Sequence, residues 1–291
     1  MIELARDAYD LVREAILEWI NDRAARKGAA LAFYTVFSLA PILILSIAIA
    51  GLFFGKEAAR GEIFTEVSGL LGRDGAQAIQ AMVESASRPG AGALATLIGF
   101  TTLFVGATTA LVELKDGLDQ IWHVPPEKMS GIWYFISKRL LSFGLILTLG
   151  FLLLVSLALS AGLSVLARMW GPRDATAWVL ESLNFLFSFA LVTVLFAMIY
   201  KILPSVRIAW RDVIIGAVIT ALLFNVGKFA IGLYLGNSAI GSTYGAAGSV
   251  ILILVWVYYS AQIFLLGAEF TKVYAHRHGS KRGSPRARSL A

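Results

Sequence analysis

The sequence predicts an all-α fold, a polytopic membrane bundle of six transmembrane helices with amphipathic helices at the N-terminus and in the first outer loop. Hydrophobic residues make up 58% of the 291 residues and charged residues only 15%, and the mean hydropathy is +0.74. A soluble globular chain cannot bury that much apolar surface. Several apolar runs also reach about 20 residues, the length that a helix needs to cross a hydrocarbon core of about 30 Å. The shorter alternating segments of a transmembrane β-barrel are absent.

Six spans can be placed along the chain. They cover residues 29–54, 94–114, 139–167, 176–201, 213–236 and 247–271. We expect the first span to act as the targeting signal, because the residues before it alternate acids and bases and contain no apolar segment typical of a signal peptide. The predicted organisation is therefore a six-span transmembrane domain, residues 29–271, between an N-terminal segment and a C-terminal tail.

Residues 1–28 are predicted to form a cytoplasmic amphipathic helix. Apolar residues recur there at alternating spacings of three and four, which places on one face Ile2, Ala5, Tyr9, Val12, Ile16 and Trp19. A charged helix with one such stripe lies either on the cytoplasmic face of the membrane or against the bundle. The pattern leaves both positions open.

The first outer loop, residues 55–93, is predicted to be helical. Its pattern is typical of two short amphipathic helices, which are broken by the glycines within residues 72–75 and ended by Pro89 and Gly90. This loop is the only sizeable structure predicted on the outer side of the membrane.

On the cytoplasmic side, the second span is expected to continue as an amphipathic helix until Pro125 and Pro126 stop it. The apolar face of this extension carries Leu111, Leu114, Leu118, Ile121 and Trp122. The tail, residues 272–291, is polar and basic and is predicted to be disordered.

The distribution of basic residues predicts the orientation of the chain. Most of the 25 lysines and arginines lie in the N-terminal segment, in the connections that follow the second and fourth spans, and in the tail. The positive-inside rule therefore places both termini in the cytoplasm. The net charge of +6 is explained by this topology and by attraction to anionic lipid, and it is only a weak indication of nucleic-acid binding.

The fifth span carries a lysine, Lys228, in an otherwise apolar run. An ionised side chain within hydrocarbon costs about 2.5 to 3.5 kcal/mol even on lenient insertion scales, so it requires compensation. Asn225 lies one helical turn earlier on the same face. In the antiparallel fourth span, Glu181 and Asn184 share a face near the outer end, at a depth that would let Glu181 meet Lys228. These four residues form the candidate intramembrane polar site.

Tyr244 is added to this site from the outer connection. The uncharged, glycine-rich residues 237–248 either dip back as a loop that lines a cavity or form a short outer turn. Lys228 itself has three interpretations: its ammonium reaches outward along the alkyl stem, it forms a structural ion pair with Glu181, or it belongs to a transport or ligand site. In the first span, Pro41 removes a backbone hydrogen bond and is predicted to kink the helix.

The residue inventory argues against an enzyme and against a nucleic-acid-binding protein. The absence of cysteine excludes disulfides, thiolate metal sites and cysteine nucleophiles. The histidines, His123, His276 and His278, flank spans without a carboxylate cluster beside them, so neither a metal nor a cofactor is predicted. No basic stripe interleaved with aromatic residues offers RNA a platform. We expect membrane lipids as partners, and the oligomeric state stays open.

Four stretches between residues 22 and 271 form an ordered pattern. They read DRAARKGAALAFYTVFSLAPILIL, LDQIW, LPSVRIAWRDVIIGAVITALLFNVGKFAIGLYL and YGAAGSVILILVWVYYSAQIFLLGAEFT. In order and spacing this pattern resembles the YihY/BrkB family of bacterial inner-membrane proteins, once labelled ribonuclease BN. The resemblance implies six spans with both termini inside the cell. It marks as motif positions Gly227, Lys228, Tyr244, Gly245, Gly267, Ala268 and Glu269, without a chemical role for any of them.

Two hypotheses of function follow. In the first, the protein is a transporter, flippase or channel-like protein for an anionic amphiphile or a small solute, and Lys228 meets the anion. In the second, it is a non-transporting envelope scaffold or virulence-associated membrane protein, since some members of the family are linked to virulence. Neutralising Lys228 would abolish function in the first case only. Ribonuclease activity is not expected.

Overall fold

The structure is a computed structural model that describes residues 2–86, 93–125, 174–237 and 246–282. These residues form α-helices and the turns between them, and none of them forms a strand. The helices are α1 (Ile2–Asn21), α2 (Ala24–Phe54), α3 (Lys56–Ala86), α4 (Ala93–Ile121), α5 (Asp174–Ile202), α6 (Trp210–Asn237) and α7 (Ala246–Arg277). The predicted all-α class is confirmed.

Four of these helices are long and apolar enough to cross a membrane. The apolar stretches are Ala24–Ala48 in α2, Phe185–Ile202 in α5, Trp210–Ile231 in α6 and Val250–Arg277 in α7. They fall on the predicted first, fourth, fifth and sixth spans. The predicted second span lies within α4, and the third, residues 139–167, lies outside the described residues. The total of six spans stays a prediction.

The first outer loop differs from its prediction. α3 is one continuous helix through residues 72–75, where the sequence predicted a break between two short helices. A glycine inside a helix costs only about 1 kcal/mol relative to alanine, and no proline interrupts this segment. Ala76, Ile79 and Val83 are buried, and Ile79 and Val83 pack in a cluster with residues of α2 and α7. That burial offsets the cost of the glycines.

The first part of the tail that was predicted to be disordered is helical. α7 continues to Arg277 and turns follow it, so residues 272–282 are ordered in the structure. Val273 is buried, 2% exposed, and belongs to one apolar cluster with Leu11 and Ala15 of α1. The composition of this segment is polar, but its apolar residues have a partner helix that the composition could not indicate.

The buried face of α1 is not the predicted stripe. Tyr9, Val12 and Ile16, which the periodicity assigned to the apolar face, are 67, 50 and 42% exposed. Leu11 and Ala15 are buried instead, at the contact with α7. The helix therefore packs against the bundle, one of the two positions that the pattern left open. Tyr9, Val12 and Ile16 remain exposed, whereas Trp19 of the predicted stripe is half-buried against the central apolar core.

α6 and α7 cross in close backbone contact. Gly216 of α6 faces Thr271 of α7, and Gly267 of α7 faces Thr220 of α6. A methyl group on either glycine would overlap the threonine opposite. Each threonine hydroxyl donates to the carbonyl of the glycine one turn earlier in its own helix, at 2.7 Å, so its polar group is satisfied without a partner in the other helix. Small residues four positions apart permit this approach.

Tyr200 of α5 completes this crossing. Its hydroxyl donates to the Phe264 carbonyl at 2.7 Å and lies 3.1 Å from the Thr220 hydroxyl. The side chain is buried, and its ring lies against the rings of Phe196 and Phe264. α5, α6 and α7 are thereby joined at one level of the bundle by polar contacts as well as by apolar packing.

α7 also lies against α2. The Gln262 side chain of α7 occupies the space beside Gly28, where a larger residue would collide with it, and its amide donates to the Ala25 carbonyl at 3.5 Å. The central apolar core draws on several helices, among them α2, α4, α5, α6 and α7. Its fully buried members include Ala24, Leu118, Tyr200, Ala217 and Leu265.

The connection between α5 and α6 is bound by α4. Asp119 accepts hydrogen bonds from the Ser205 backbone N–H at 2.6 Å and from the Ser205 hydroxyl at 3.0 Å. Lys115, one turn earlier, pairs with Asp119 at 2.6 Å and donates to the same hydroxyl. Leu118 and Ile121 are fully buried on the same helix. α4 therefore continues to Ile121, before Pro125 and Pro126, as predicted, and its amphipathic character as an extension of the second span stays a prediction.

Gly267→Ala is expected to destabilise the protein, because the added methyl group has to displace both Thr220 and Tyr200. Overpacking of this kind costs about 1 to 3 kcal/mol. Gly61→Ala in α3 is the matched control, since nothing lies within 4 Å of its added carbon and alanine favours a helix by up to about 1 kcal/mol. Thermal unfolding of both variants in detergent gives the comparison. Equal midpoints would contradict the close contact of α6 and α7.

Asp119→Asn is expected to loosen the α5–α6 connection, because the change removes the charge that Ser205 and Lys115 contact. Hydrogen bonds to a charged group contribute about 1.5 to 3 kcal/mol. Backbone amides of residues 203–209 should therefore exchange with deuterium at least about tenfold faster. Gln120→Ala, at the exposed neighbouring position, is the control. Unchanged exchange in Asp119→Asn would show that the connection is held by other contacts.

Candidate functional site

The predicted lysine, Lys228, lies on α6 at the border of its buried face. Gly227 and Ile231 are buried on one side of it, whereas Val226 and Phe229 are 62 and 70% exposed. Lys228 is itself exposed, and it has no ion pair with another residue of the described ranges. A charged side chain in an apolar helix thus faces the outer surface of the described helices.

Asn225 lies one turn before Lys228 and is half-buried. Its amide donates to the Ala221 carbonyl of its own helix at 2.9 Å. The side-chain amide is thereby held along the helix, on the side from which Lys228 also projects. The two predicted residues are neighbours on one helix, as their spacing requires.

The register of α5 against α6 fixes the level of the predicted partners. Tyr200 lies beside Thr220 and Phe196 beside Phe224, so in these antiparallel helices Lys228 is level with Val192. Glu181 then lies about 16 Å further along the axis at 1.5 Å per residue. The side chains of Glu181 and Asn184 and the whole of Tyr244 lie outside the described part of the chain. Their convergence on Lys228 stays a prediction.

Pro41 lies inside α2, as predicted. Its ring packs so closely against Gly106 of α4 that a side chain at that glycine would have to displace it. Ser38, one turn earlier, is buried at 1% exposure. The structure therefore gives Pro41 a packing contact with α4, and the predicted kink is a separate property that these contacts do not test.

A second polar centre, which the sequence reading missed, lies where α1, the ends of α4 and α7, and the α5–α6 connection meet. We call this region the ionic end. Its centre is the ionic cluster of Glu18, Asp22, Glu269 and Lys272. The Lys272 ammonium lies 2.6 Å from Glu269 Oε2, 2.8 Å from Glu18 Oε2 and 3.4 Å from Asp22 Oδ2. One lysine thus contacts carboxylates from two helices and from the turn between α1 and α2.

Two tight turns bring the cluster together. Arg23, between α1 and α2, has a φ of 52°, and His123, just after α4, has the same value. This left-handed conformation is uncommon for residues other than glycine. Asp22 lies at the first turn, 3.4 Å from the Lys272 ammonium, and the second turn places His123 Nε2 at 3.3 Å from Asp22 Oδ1.

Burial and charge set the electrostatics of the cluster. The Glu269 side chain is fully buried; its Oε2 lies against the Lys272 ammonium, and its Oε1 has no hydrogen-bond partner among the described residues. The Lys272 side chain is 7% exposed. Burial by itself raises the pKa of the Asp22 carboxyl, but Lys272, the Glu269 side chain and His123 together hold that pKa below its usual range.

Further ion pairs continue from the cluster along α1 and α7. Arg277 pairs with Glu14 at 2.5 Å, and His278 lies 3.3 Å from Asp7. Acidic residues of α1 therefore meet basic residues at the end of α7 in antiparallel order. His276 packs its ring near Trp122 at the same end.

The sequence held a partial signal for this centre. Glu14, Glu18 and Asp22 repeat every four residues and must share one face of α1. Glu269 and Lys272 are one turn apart in an apolar helix, and only the family resemblance singled out Glu269. An acidic stripe and a buried ion pair, taken together, would have indicated that α1 docks on the end of α7.

Carboxylate oxygens of Glu18, Asp22 and Glu269 all lie within 4.8 Å of one another, a spacing that could hold a cation. The Lys272 ammonium already lies among these oxygens, at 2.6 to 3.4 Å. The cluster therefore compensates part of its negative charge with a cation from its own chain.

The chain matches known proteins over almost its whole length. A family described as virulence factor BrkB matches residues 15–291. A UPF0761 membrane protein of Pseudomonas aeruginosa (strain LESB58) is 28% identical over 274 residues, which cover 92% of this chain and 63% of that protein. A UPF0761 membrane protein of Stenotrophomonas maltophilia (strain K279a) is 27% identical over 279 residues, which cover 94% and 63%.

A third relative, the UPF0761 membrane protein of Paraburkholderia xenovorans (strain LB400), is 29% identical over 252 residues, with 85% of this chain and 56% of the relative covered. The chain thus spans less than two thirds of the length of these relatives. No solved structure matches the chain. The match to the family confirms the resemblance read from the sequence, and together with the apolar helices it identifies a membrane protein that belongs to the virulence factor BrkB family.

Proposed function

We propose that the protein is a multi-pass protein of the bacterial inner membrane that moves an anionic amphiphile or small anionic solute, and that Lys228 meets the anion. The observation that carries the proposal is the position of this cation. It lies about 27 Å beyond Trp210 along an apolar helix at 1.5 Å per residue, and its side chain is exposed. A charge at such a depth is costly unless a counter-charge accompanies it.

The surroundings of Lys228 favour an amphiphile over a structural ion pair. Phe229, the next residue, is 70% exposed and offers apolar surface about 100° around the helix from Lys228. An amphiphile would place its anionic headgroup on the lysine and its chain along this ring. A small anion would use the first of these contacts alone.

A second hydrogen-bond donor, on α7, lies at about the level of Lys228 along the helix axis. The Trp256 ring of α7 packs edge-to-face on Phe224, one turn before Lys228 on α6. Its indole N–H is buried and has no hydrogen-bond partner in the described part of the chain. Tyr259 packs on Gly227, beside the lysine in sequence. Aromatic side chains and an unused donor on the neighbouring helix suit a ligand that is part anion and part hydrocarbon.

A non-transporting, virulence-associated membrane protein is the second candidate. The exposed apolar residues of α1, Tyr9, Val12 and Ile16, and the name of the family favour it. A scaffold would act through such a surface and would tolerate the loss of the charge on Lys228. The two candidates therefore differ in how they respond to one substitution.

Lys228→Met is expected to lower transport at least about tenfold, which corresponds to about 1.4 kcal/mol of lost stabilisation of the transfer step. The measurement uses purified protein in liposomes and follows labelled anionic and zwitterionic phospholipids across the bilayer. Lys228→Arg keeps the charge and should retain part of the activity. Lys56→Met, at an exposed position at the start of α3, is the matched control and should behave as wild type.

Equal transport by wild type and Lys228→Met would contradict the assignment of the anion to this lysine. If no variant moves lipid or a panel of small anions above empty vesicles, the scaffold becomes the better proposal. Circular dichroism of each variant confirms that a loss of transport is not a loss of folding.

The proposed orientation places α1 and the ionic end in the cytoplasm and the start of α3 outside, in agreement with the positive-inside rule. The chain contains no cysteine, so single cysteines report without interference. A membrane-impermeant maleimide added to intact spheroplasts should label Lys56→Cys and leave Tyr9→Cys unlabelled until the membrane is opened. Labelling of Tyr9→Cys in intact spheroplasts would reverse the orientation.

A further inference from the structure

We propose that Glu18, Asp22 and Glu269 form a proton-binding site in which Asp22 and Glu269 share one proton, and that loss of this proton releases α1 from α7. The proposal is independent of transport through Lys228, which lies about 15 Å or more away along the bundle by helix geometry.

Three carboxylates from different parts of the chain converge at this site. Three carboxylates, from α1, from the turn after it and from α7, place oxygens within 4.8 Å of one another. Glu269 is fully buried; its Oε2 lies 2.6 Å from the Lys272 ammonium, and its Oε1 has no hydrogen-bond partner among the described residues. A protonated carboxyl has an O–H that can donate to the neighbouring carboxylate. A proton would therefore remove a charge and satisfy a buried oxygen in one step.

The positive charges around the site are one fewer than the carboxylates, so one added proton would make the site neutral. The groups that face it are Lys272 of α7, Lys27 of α2 and His123 after α4. If His123 is neutral, the two lysines leave the three carboxylates with one uncompensated negative charge. A buried charge without compensation is strongly destabilising, whereas a proton shared between two close carboxyl groups makes the cluster neutral.

His123 is the other place where this proton could reside. Its side chain is 31% exposed, and its Nε2 lies 3.3 Å from Asp22 Oδ1. A proton on His123 would leave the fully buried Glu269 ionised beside Asp22. The shared position between Asp22 and Glu269 neutralises the more deeply buried pair.

A metal ion is a poorer occupant than a proton. The Lys272 ammonium already lies at 2.6, 2.8 and 3.4 Å from the three carboxylates. A second cation at their centre would be held beside that ammonium. A proton binds between the oxygens and needs no such space.

Release of α1 follows from linkage. When α1 leaves, Asp22 and Glu269 become hydrated and separate, so the docked state binds one more proton than the undocked state. Docking therefore weakens as the pH rises past the point at which the shared proton is lost.

At acid pH the docking of α1 depends on pH in the opposite direction. The pKa of Asp22 lies below its usual range in the docked state, so its contribution is present above pH 3.8 and is lost as the pH falls through that lowered value. Docking should be strongest between these limits.

The first test is amide hydrogen exchange of α1 in the full chain, reconstituted in nanodiscs and followed from about pH 6 to about pH 9, with the intrinsic pH dependence of exchange removed. In wild type, the protection of α1 should fall about tenfold per pH unit once the proton is lost, as expected for a difference of one proton. Glu269→Gln mimics the protonated carboxyl and should keep α1 protected throughout. Glu113→Gln, a half-buried carboxyl of α4 outside the cluster, should follow wild type.

The second test is infrared spectroscopy of the same samples at neutral pH. A protonated carboxyl has a carbonyl band that a carboxylate lacks, and this band should be present in wild type and in His123→Gln and reduced in Glu269→Gln. The same band in Glu269→Gln as in wild type would overturn the shared proton. A wild type whose α1 protection does not depend on pH would overturn the release of α1. A band that is missing in wild type and appears in His123→Gln would move the proton to the histidine.

Discussion

The close backbone contact between α6 and α7 is the constraint on which the described structure depends. Gly216 and Gly267 remove the side chains that would separate the helices, and Thr220 and Thr271 fill the space opposite while bonding to their own helices. Because the axes are held this close, Tyr200 can reach both the Thr220 hydroxyl and a carbonyl of α7. α7 then presents its remaining faces to α2 and to α1. The crossing therefore fixes the relative height of Lys228 on α6 and Glu269 on α7.

The sequence predicts helices well where one physical signal dominates. Long apolar runs require internal hydrogen bonding in a bilayer, and this condition alone places α2, α5, α6 and α7. It does not say which faces meet. Gly267 was singled out by the family resemblance, but its partner, Thr220, belongs to a different helix and no periodicity connects the two. Similarly, the spacing of Tyr9, Val12 and Ile16 is that of a buried stripe, whereas Leu11 and Ala15 make the contact, because the end of α7 supplies the matching apolar residues.

The two polar centres illustrate the same limit. Lys228 stands out in the sequence because a single charge interrupts an apolar run, so local reading finds it. The ionic cluster escaped that reading because its members are ordinary in their own segments: Glu18 and Asp22 belong to a charged helix, and Lys272 looks like the first residue of a basic tail. Only the packing of α1 on α7, together with two left-handed turns, makes them one buried group. A site assembled from several elements requires knowledge of their arrangement, whereas a lone charge in hydrocarbon does not.

The reciprocal glycines at the crossing also have a mechanical meaning. The contact consists of backbone and two short side chains, without long side chains between the two helices. Such a crossing is a point about which α6 and α7 could rotate relative to each other. Glu269 of the ionic cluster lies at the level of this pivot, between Gly267 and Thr271 in sequence, whereas Lys228 lies about 12 Å beyond Thr220 at 1.5 Å per residue. A small rotation of the two helices would therefore displace Lys228 while Glu269 stays nearly in place, because displacement grows with distance from the pivot.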